Sequence, residues 1–159
     1  MNISETLISP TELKPVREWV ARMASPLGIP LAGRSTAELV GAVEQAVSQW
    51  QQGRPPKAAE VKPEDLHIVL GTIWGEQLIA QFDWLWVNLT FHDFNDWSSL
   101  AVVSPDRALM ILPYAYVCLC RDDQAVAVNM LAAFNVIGRQ TLPAAAPGSY
   151  SNVMDTLAN

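Results

Sequence analysis

Three side chains that can exchange protons lie close together in the middle of the chain, at His92, Asp93 and Asp96. A histidine can act as a general acid or base near neutral pH, and neighbouring carboxylates can orient it or bind a metal. No further ligand is spaced to join them in a zinc site. We therefore expect a polar structural loop here. An enzyme or small ligand-binding domain that uses this loop is the alternative hypothesis.

A second candidate is Glu76, which falls on a helical stripe that is otherwise apolar. The other members of the stripe are Val69, Ile73 and Ala80. A carboxylate in such a place can be partly buried with a raised pKa, as general acids and bases often are. We favour a structural role, in which this possible buried carboxylate accepts a hydrogen bond from a backbone or indole N–H.

The remaining reactive residue types suggest no chemistry. Cys118 and Cys120 are too close in sequence to bridge each other easily and too few to bind zinc, so we interpret them as small buried apolar residues. His67 is interpreted as a surface or hydrogen-bonded histidine. The sequence contains no glycine-rich phosphate loop, no nucleophile elbow and no HExxH motif. We therefore predict no catalytic residue, no metal, no cofactor and no enzyme activity.

The composition is that of a folded acidic protein. The chain has 159 residues, of which 50% are apolar and 16% charged, and its formal net charge is −6. This length fits one domain, and so few charges argue against disorder. Because an acidic chain is repelled by phosphate groups, we expect no nucleic-acid partner. No signal peptide is visible and no apolar run reaches the about 20 residues of a membrane span, so we predict a cytoplasmic protein without membrane contact.

The negative charge is concentrated in the middle of the sequence. No Lys or Arg occurs between Lys62 and Arg107, an interval that contains seven acids. These acids are Glu64, Asp65, Glu76, Asp83, Asp93, Asp96 and Asp106. They could simply form a solvated face. The functional hypothesis is an acidic surface complementary to a basic protein partner, such as a toxin or effector domain.

Tryptophan is abundant in the same interval, at Trp84, Trp86 and Trp97. Residues 84–91 alternate as a strand does, which predicts a core face of Leu85, Val87, Leu89 and Phe91. Trp84 and Trp86 then lie on the opposite face, either under helices or as an exposed aromatic surface, and exposed tryptophans often anchor interfaces. The candidate partner-binding residues are therefore Trp84, Trp86, Asp93, Asp96, Trp97 and Asp106.

The pattern of elements predicts an α+β fold with helices packed on a small three-stranded antiparallel β-meander. Helices are predicted at residues 15–24, 35–53, 63–82 and 124–137. A capping box at Ser9 could start the first helix earlier, but Pro15 lacks the N–H that a continuing helix needs, so we place the start of this helix at Pro15. Strands are predicted at residues 84–91, 100–104 and 108–112. Residues 113–121 could be a helix or a strand, and Pro113 favours a short helix.

We predict a single domain over residues 1–159. Within it, residues 1–53 form an N-terminal helical hairpin and residues 54–62 a linker. Residues 63–138 form an α-β-β-β-α core. The proline-, alanine- and glycine-rich residues 139–159 are predicted to be a loosely held tail.

Several of these features together resemble an uncharacterised bacterial domain-of-unknown-function family. Leu70-Gly71 and Gly75-Glu76 match its Leu-Gly-x3-Gly-Glu helix, which precedes a tryptophan strand (here Trp86), a short meander and a proline-led helix (here Pro113). The resemblance covers roughly residues 62–138 and implies an α+β fold with no established activity. The loop after Phe91 departs from the family, because it lacks the expected glycine.

The chain is also similar in general type to bacterial immunity proteins, which are small, acidic and cytoplasmic. Our leading hypothesis is therefore an immunity protein of a toxin–antitoxin type pair that occludes a basic surface of its cognate toxin or effector. An adaptor or chaperone-like partner of a bacterial assembly is a second hypothesis, and the enzyme or ligand-binding domain with Glu76 and the loop at His92 is a third.

Overall fold

Six α-helices and five β-strands are present in residues 1–158, the part of the chain that the computed structural model describes. The helices are α1 (Pro10–Ala24), α2 (Thr36–Gln51), α3 (Leu66–Phe82), α4 (Pro113–Asp122), α5 (Met130–Arg139) and α6 (Val153–Leu157). The strands are β1 (Ile3–Leu7), β2 (Leu85–Phe91), β3 (Trp97–Val103), β4 (Leu109–Ile111) and β5 (Ser151–Asn152). The predicted α+β class is confirmed, and α4 follows Pro113 as a helix.

The sheet has five strands in the order β1-β2-β3-β4-β5. The first four strands are antiparallel, whereas β5 pairs with β4 in parallel. The three predicted strands do form an antiparallel meander, as β2, β3 and β4, but the prediction missed β1 and the parallel strand β5. The two extra strands have only five and two residues, and such short segments show too little periodicity to be identified without their distant partners.

The first helix begins five residues earlier than predicted. The hydroxyl of Ser9 accepts a hydrogen bond from the backbone N–H of Glu12 (3.2 Å), and the Glu12 carboxylate accepts one from the Ser9 N–H, so the capping box is complete. Pro15 lies inside α1, where it removes only the bond that its N–H would make to Thr11. Burial of Leu13 helps to hold the first turn in place.

The last predicted helix, in contrast, begins late, at Met130. The residues before it form a loop around the hydroxyl of Tyr116, which donates to the carbonyl of Ala127 (2.8 Å) and accepts from the N–H of Asn129 (3.0 Å). These two bonds fix backbone groups that a longer helix would have used itself. The loop is therefore held by a side chain of α4.

Helices cover the sheet face that carries Trp84 and Trp86, which are 5% and 3% exposed. A Cβ on Gly75 of α3 would lie 2.4 Å from the Trp86 ring, so the ring occupies the space that this glycine leaves. Tyr114 fits against Gly71 in the same way and stacks on Trp86 at 5.8 Å. The two tryptophans belong to the core, and their place among the partner-binding residues is wrong.

The opposite sheet face, which we call the far face, holds a second and smaller cluster of buried side chains. Its members are Val87, Leu89, Phe91, Ala101, Val103 and Met110. The prediction that Val87, Leu89 and Phe91 are buried is correct, but Trp86 on the opposite face of β2 is buried as well, so both faces of the strand are covered. Period-two alternation identifies the two faces of a strand but does not show which one the helices cover.

Three side chains distant in sequence meet at the far face, and we call them the Glu5 clasp. The guanidinium of Arg107 donates to both carboxylate oxygens of Glu5, at 2.9 and 3.1 Å. The hydroxyl of Tyr150 donates to the same carboxylate at 2.8 Å. The Arg107 hydrogen bond is the main cause that lowers the pKa of Glu5. The clasp therefore joins β1, the turn before β4 and the C-terminal segment.

Neither end of the chain has the predicted organisation. Residues 1–53 contain the two predicted helices, but α1 and α2 pack mainly against α3 instead of against each other, and β1 joins the sheet. Residues 139–159 are not loosely held as far as they are described, since β5 pairs with β4, and Val153 and Met154 are buried. Although this segment is rich in Pro, Ala and Ser, its buried apolar residues and its strand pairing hold it against the rest of the fold.

Candidate functional site

The loop between β2 and β3 carries exposed aromatic rings beside carboxylates. Phe94 is 61% exposed and Trp97 is 46% exposed, whereas large aromatic side chains are usually well covered in a folded monomer. In the sequence, Asp93 directly precedes Phe94 and Asp96 directly precedes Trp97. We call Asp93, Phe94, Asp96 and Trp97 the hairpin surface.

Backbone geometry presents these side chains outwards. One 3-10 turn covers residues 92–94, after which Asn95 and Asp96 both take φ of 55°, a conformation that Asn and Asp tolerate better than most residues. The strands close directly behind the loop, where Phe91 pairs with Trp97. The centroid of the Trp97 ring lies 5.3 Å from that of the Phe91 ring, so the Trp97 ring packs against Phe91 on one side.

His92 links the loop to β1 through a chain of hydrogen bonds. Its Nδ1 lies 2.6 Å from Asp96 Oδ1, and its Nε2 lies 2.5 Å from Ser4 Oγ. Because a carboxylate only accepts, Nδ1 carries the proton of the neutral ring, and Nε2 then accepts from the Ser4 hydroxyl. Ser4, His92 and Asp96 are thus hydrogen-bonded in the same arrangement as a serine nucleophile, a histidine base and an orienting carboxylate.

In the described part of the chain, the two carboxylates of the hairpin surface are not paired with Lys or Arg. Asp93 accepts a hydrogen bond from the N–H of Asn2 at 2.8 Å, and Asp96 is paired only with His92. Within residues 1–158, no Lys or Arg forms an ion pair with either carboxylate. Both acids are exposed, so a basic partner would find their charge accessible.

Asp106 lies far from this surface, in the turn between β3 and β4. It is at the opposite end of β3, which at about 3.4 Å per residue places it roughly 20 Å away. Its carboxylate accepts from the N–H of Ala108 (3.0 Å) and the hydroxyl of Ser104 (2.8 Å), and these bonds lower its pKa. Asp106 therefore stabilises a turn and does not join the other predicted partner contacts.

Glu76 is half-buried, and its partner is a cation. Arg17 of α1 binds it through two hydrogen bonds, from Nε to Oε1 and from Nη2 to Oε2, the latter 3.0 Å long. The structural role is correct in kind, but the donor is a guanidinium instead of a backbone or indole N–H. Because Arg17 holds both oxygens of Glu76, they are engaged in joining α1 to α3.

The remaining acids of the central interval are dispersed. Glu64 and Asp65 lie in the 3-10 turn before α3, and Asp83 ends that helix with φ of 58°. Of the six predicted partner-binding residues, the structure brings together Asp93, Asp96 and Trp97 only. The acidic block of the sequence is therefore not one surface.

Phe94 and Ser4 were not among the predicted site residues. Phe94 could have been found, since an aromatic residue in a short loop between two aspartates has no strand or helix to bury it. Ser4 could not, because its contact with His92 depends on β1, which the sequence pattern did not reveal.

Several global properties bear on what this site could be. None of the described helices combines the length and apolarity needed to cross a membrane. Residues 1–158 contain no group of three or more His, Cys, Asp and Glu side chains placed to hold a metal ion. Comparisons with protein-family models, with curated proteins and with solved structures found nothing that matches this chain.

Proposed function

We propose that this chain is a protein-binding module, and most specifically an immunity protein that neutralises a cognate toxin or effector by occluding a basic surface. The observation that supports the proposal is the hairpin surface, where two exposed aromatic rings stand beside two carboxylates that pair with no Lys or Arg of residues 1–158. Such a surface suits a basic protein partner of a cytoplasmic protein with net charge −6.

The rings and the carboxylates would contribute differently to binding. Aromatic side chains at the centre of an interface supply much of the affinity and slow dissociation. Exposed charges steer the encounter and make the association rate depend on salt. The two contributions can therefore be separated by kinetics.

The test co-expresses the protein with the products of the neighbouring reading frames, one of which must be a toxin or effector if the proposal holds. We expect co-expression to rescue growth and the purified pair to bind. Trp97→Ala should raise Kd by about 30-fold, mainly through faster dissociation. Leu119→Ala, which truncates a comparably exposed apolar side chain on α4, is the matched control and should leave Kd unchanged. Absence of both binding and rescue would refute the immunity role.

Reversing the charges of Asp93 and Asp96 to Lys tests the electrostatic part. We expect slower association and a weaker dependence of the association rate on salt, with dissociation little changed. Glu64→Lys changes an exposed acid away from the hairpin surface and should affect association much less. A thermal melt accompanies both variants, because Asp93 and Asp96 also hold β1. If the Asp93 and Asp96 reversal and Glu64→Lys changed the association rate equally, the interface would lie elsewhere.

An adaptor or chaperone-like role differs in its genetics. Loss of an immunity protein is toxic only when the neighbouring toxin is expressed, whereas loss of an adaptor impairs its assembly whether or not that neighbour is present. Growth of a deletion strain with and without the neighbouring gene separates the two.

The hydrogen bonds that link Ser4 to His92 and His92 to Asp96 favour one enzymatic alternative, acyl transfer to the Ser4 hydroxyl. Ser4 Oγ would form the bond to the acyl carbon while its proton passes to His92 Nε2, and His92 would then protonate the departing alcohol. Labelling with a fluorophosphonate, followed by mass spectrometry, tests this. We expect a Ser4 adduct that His92→Gln abolishes, whereas Ser98, hydrogen-bonded to Thr90 and to no histidine, stays unlabelled. An unlabelled Ser4 would refute acyl transfer.

A further inference from the structure

We infer that β1 is the docking edge of this protein, along which an extended segment of a basic partner adds as a sixth strand. The inference rests on the proposed function and specifies how the partner binds. It follows from the position of β1 in the sheet, its hydrogen-bond register and the groups at its two ends.

β1 lies at the edge of the sheet and pairs only with β2. The N–H of His92 donates to the carbonyl of Asn2 at 2.9 Å, which fixes the alternation of hydrogen bonds along the pair. Ser4 and Thr6 therefore exchange bonds with β2. The N–H and C=O groups of Ile3, Glu5 and Leu7 point away from the sheet, leaving three donors and three acceptors for another strand.

Nothing in β1 protects this edge. Natural edge strands are commonly protected by Lys, Pro, a bulge, extreme shortness or an inward-pointing charge. β1 has five residues, Ile-Ser-Glu-Thr-Leu, and pairs with β2 in unbroken register. Its one charge, on Glu5, is neutralised by Arg107. The other edge is protected, because β5 has only two residues.

The side chains along β1 define the chemistry of the added strand. Ile3 and Leu7 line the far face, and Leu7 is 64% exposed, so apolar residues of the partner would pack beside them. Ser4 and Thr6 line the other face and suit small polar residues. The segment that fits therefore alternates between β-branched apolar and small polar side chains.

The two ends of this strand differ in chemistry. Asp93 contacts Asn2 at one end, next to the hairpin surface. Beyond Leu7 at the other end, a groove of about 500 Å³ is lined mainly by apolar side chains. Its two charged members, Glu12 and Arg17, are already bonded to Ser9 and to Glu76. A Lys or Arg at the end of the partner segment beside Asn2 would meet the Asp93 carboxylate, and an apolar residue at the other end would enter the groove.

The test uses a synthetic, fluorescein-labelled peptide of seven residues, alternating Val and Thr with Lys at one end and Val at the other. Its binding is measured by fluorescence anisotropy to the wild-type protein and to Leu7→Pro and Leu7→Ala. Proline at this position removes an N–H that points away from the sheet, so β1 can still pair with β2. Leu7→Ala is the matched control, because it removes the same side chain but keeps the N–H. A thermal melt verifies that both variants fold.

We expect Leu7→Ala to bind the peptide several-fold more weakly than the wild type, because it removes one packing contact, and Leu7→Pro to bind at least tenfold more weakly than Leu7→Ala, because it also removes a backbone donor. A peptide with N-methylated backbone amides should not bind. Equal binding to Leu7→Pro and Leu7→Ala, or no binding to the wild type, overturns the inference. A dimer of the protein that Leu7→Pro dissociates also overturns it, because the edge would then accept a second copy of this chain.

This experiment separates the docking mode from the immunity role. The peptide assay contains no toxin, so a failure to rescue growth leaves its result unaffected. Conversely, if the toxin binds wild type and Leu7→Pro equally, the immunity proposal stands and strand addition at β1 is refuted.

Discussion

Gly75 is required at its position because the Trp86 ring occupies the space where a side chain would be. Gly71 has the same relation to the ring of Tyr114, so two glycines one turn apart accept two stacked rings. A helix normally loses about 1 kcal/mol for each glycine relative to alanine. Here the loss is offset by close packing of α3 against β2 and α4.

Gly75→Ala should therefore destabilise the protein by about 1–3 kcal/mol, as overpacking of a core does, in spite of its better helix propensity. Gly41→Ala in α2 is the matched control, since nothing lies within 4 Å of a Cβ there. We expect that variant to gain about 0.5–1 kcal/mol. Urea denaturation measures both, and equal signs would contradict the packing argument.

The Glu5 clasp should make stability depend on pH in the acid range. Because Arg107 lowers the pKa of Glu5 in the folded state, the clasp stabilises the fold above the ordinary pKa of 4.5 and loses this effect as pH falls through the folded pKa. At pH 7 we expect Glu5→Gln to cost about 1–3 kcal/mol. The difference from the wild type should shrink below pH 4.5, and a difference that stays constant in urea titrations down to pH 3 would contradict this.

At the scale of elements, α1 contains the clearest conflict between local signals. The capping box at Ser9 starts the helix, and Pro15 opposes it one and a half turns later. Replacing Pro15 by Ala restores the hydrogen bond to Thr11, so we expect a gain of about 2 kcal/mol in the free energy of unfolding. Ser9→Ala should lose about 1 kcal/mol. Calorimetric melts of both variants check this, and a destabilising Pro15→Ala would refute it.

The sequence predicted the elements that local patterns specify. The second and third helices, the helix at Pro113 and the strand that contains Trp86 all show their own caps or periodicity. β1, β5 and the early start of α1 were missed because they depend on partners elsewhere. At the site, Asp93, Asp96 and Trp97 lie within five consecutive residues and could be grouped from sequence. The burial of Trp84 and Trp86 depended on which face α3 covers, and strand alternation does not contain that information.

At the scale of the whole molecule, the C-terminal segment is an integral part of the fold. Tyr150 completes the Glu5 clasp, β5 extends the sheet, and Val153 and Met154 are buried. Truncation after Ser149 removes all of these at once. Since burying a Val or Met side chain contributes about 1.5–3 kcal/mol, we expect a loss of about 3–6 kcal/mol.

Tyr150→Phe removes only the hydroxyl of the clasp and should cost about 0.5–1.5 kcal/mol. Comparing its denaturation midpoint with that of the truncated chain separates the clasp from the apolar burial. A truncation that costs no more than Tyr150→Phe would mean that β5 and α6 add nothing to stability.

The position of β1 in the sequence has a consequence for synthesis. Its contacts in the loop of His92 lie 88 positions after Ser4, and Tyr150 lies 145 positions after Glu5. At about 5–20 residues per second, the ribosome needs roughly 4–18 s to make the first of these partners after Ser4 itself. During that time the strand segment is exposed on both edges to chaperones and to other nascent chains. The Glu5 clasp is completed only when Tyr150 has emerged, so β1, which is made before the other four strands of this sheet, is among the last of them to be protected.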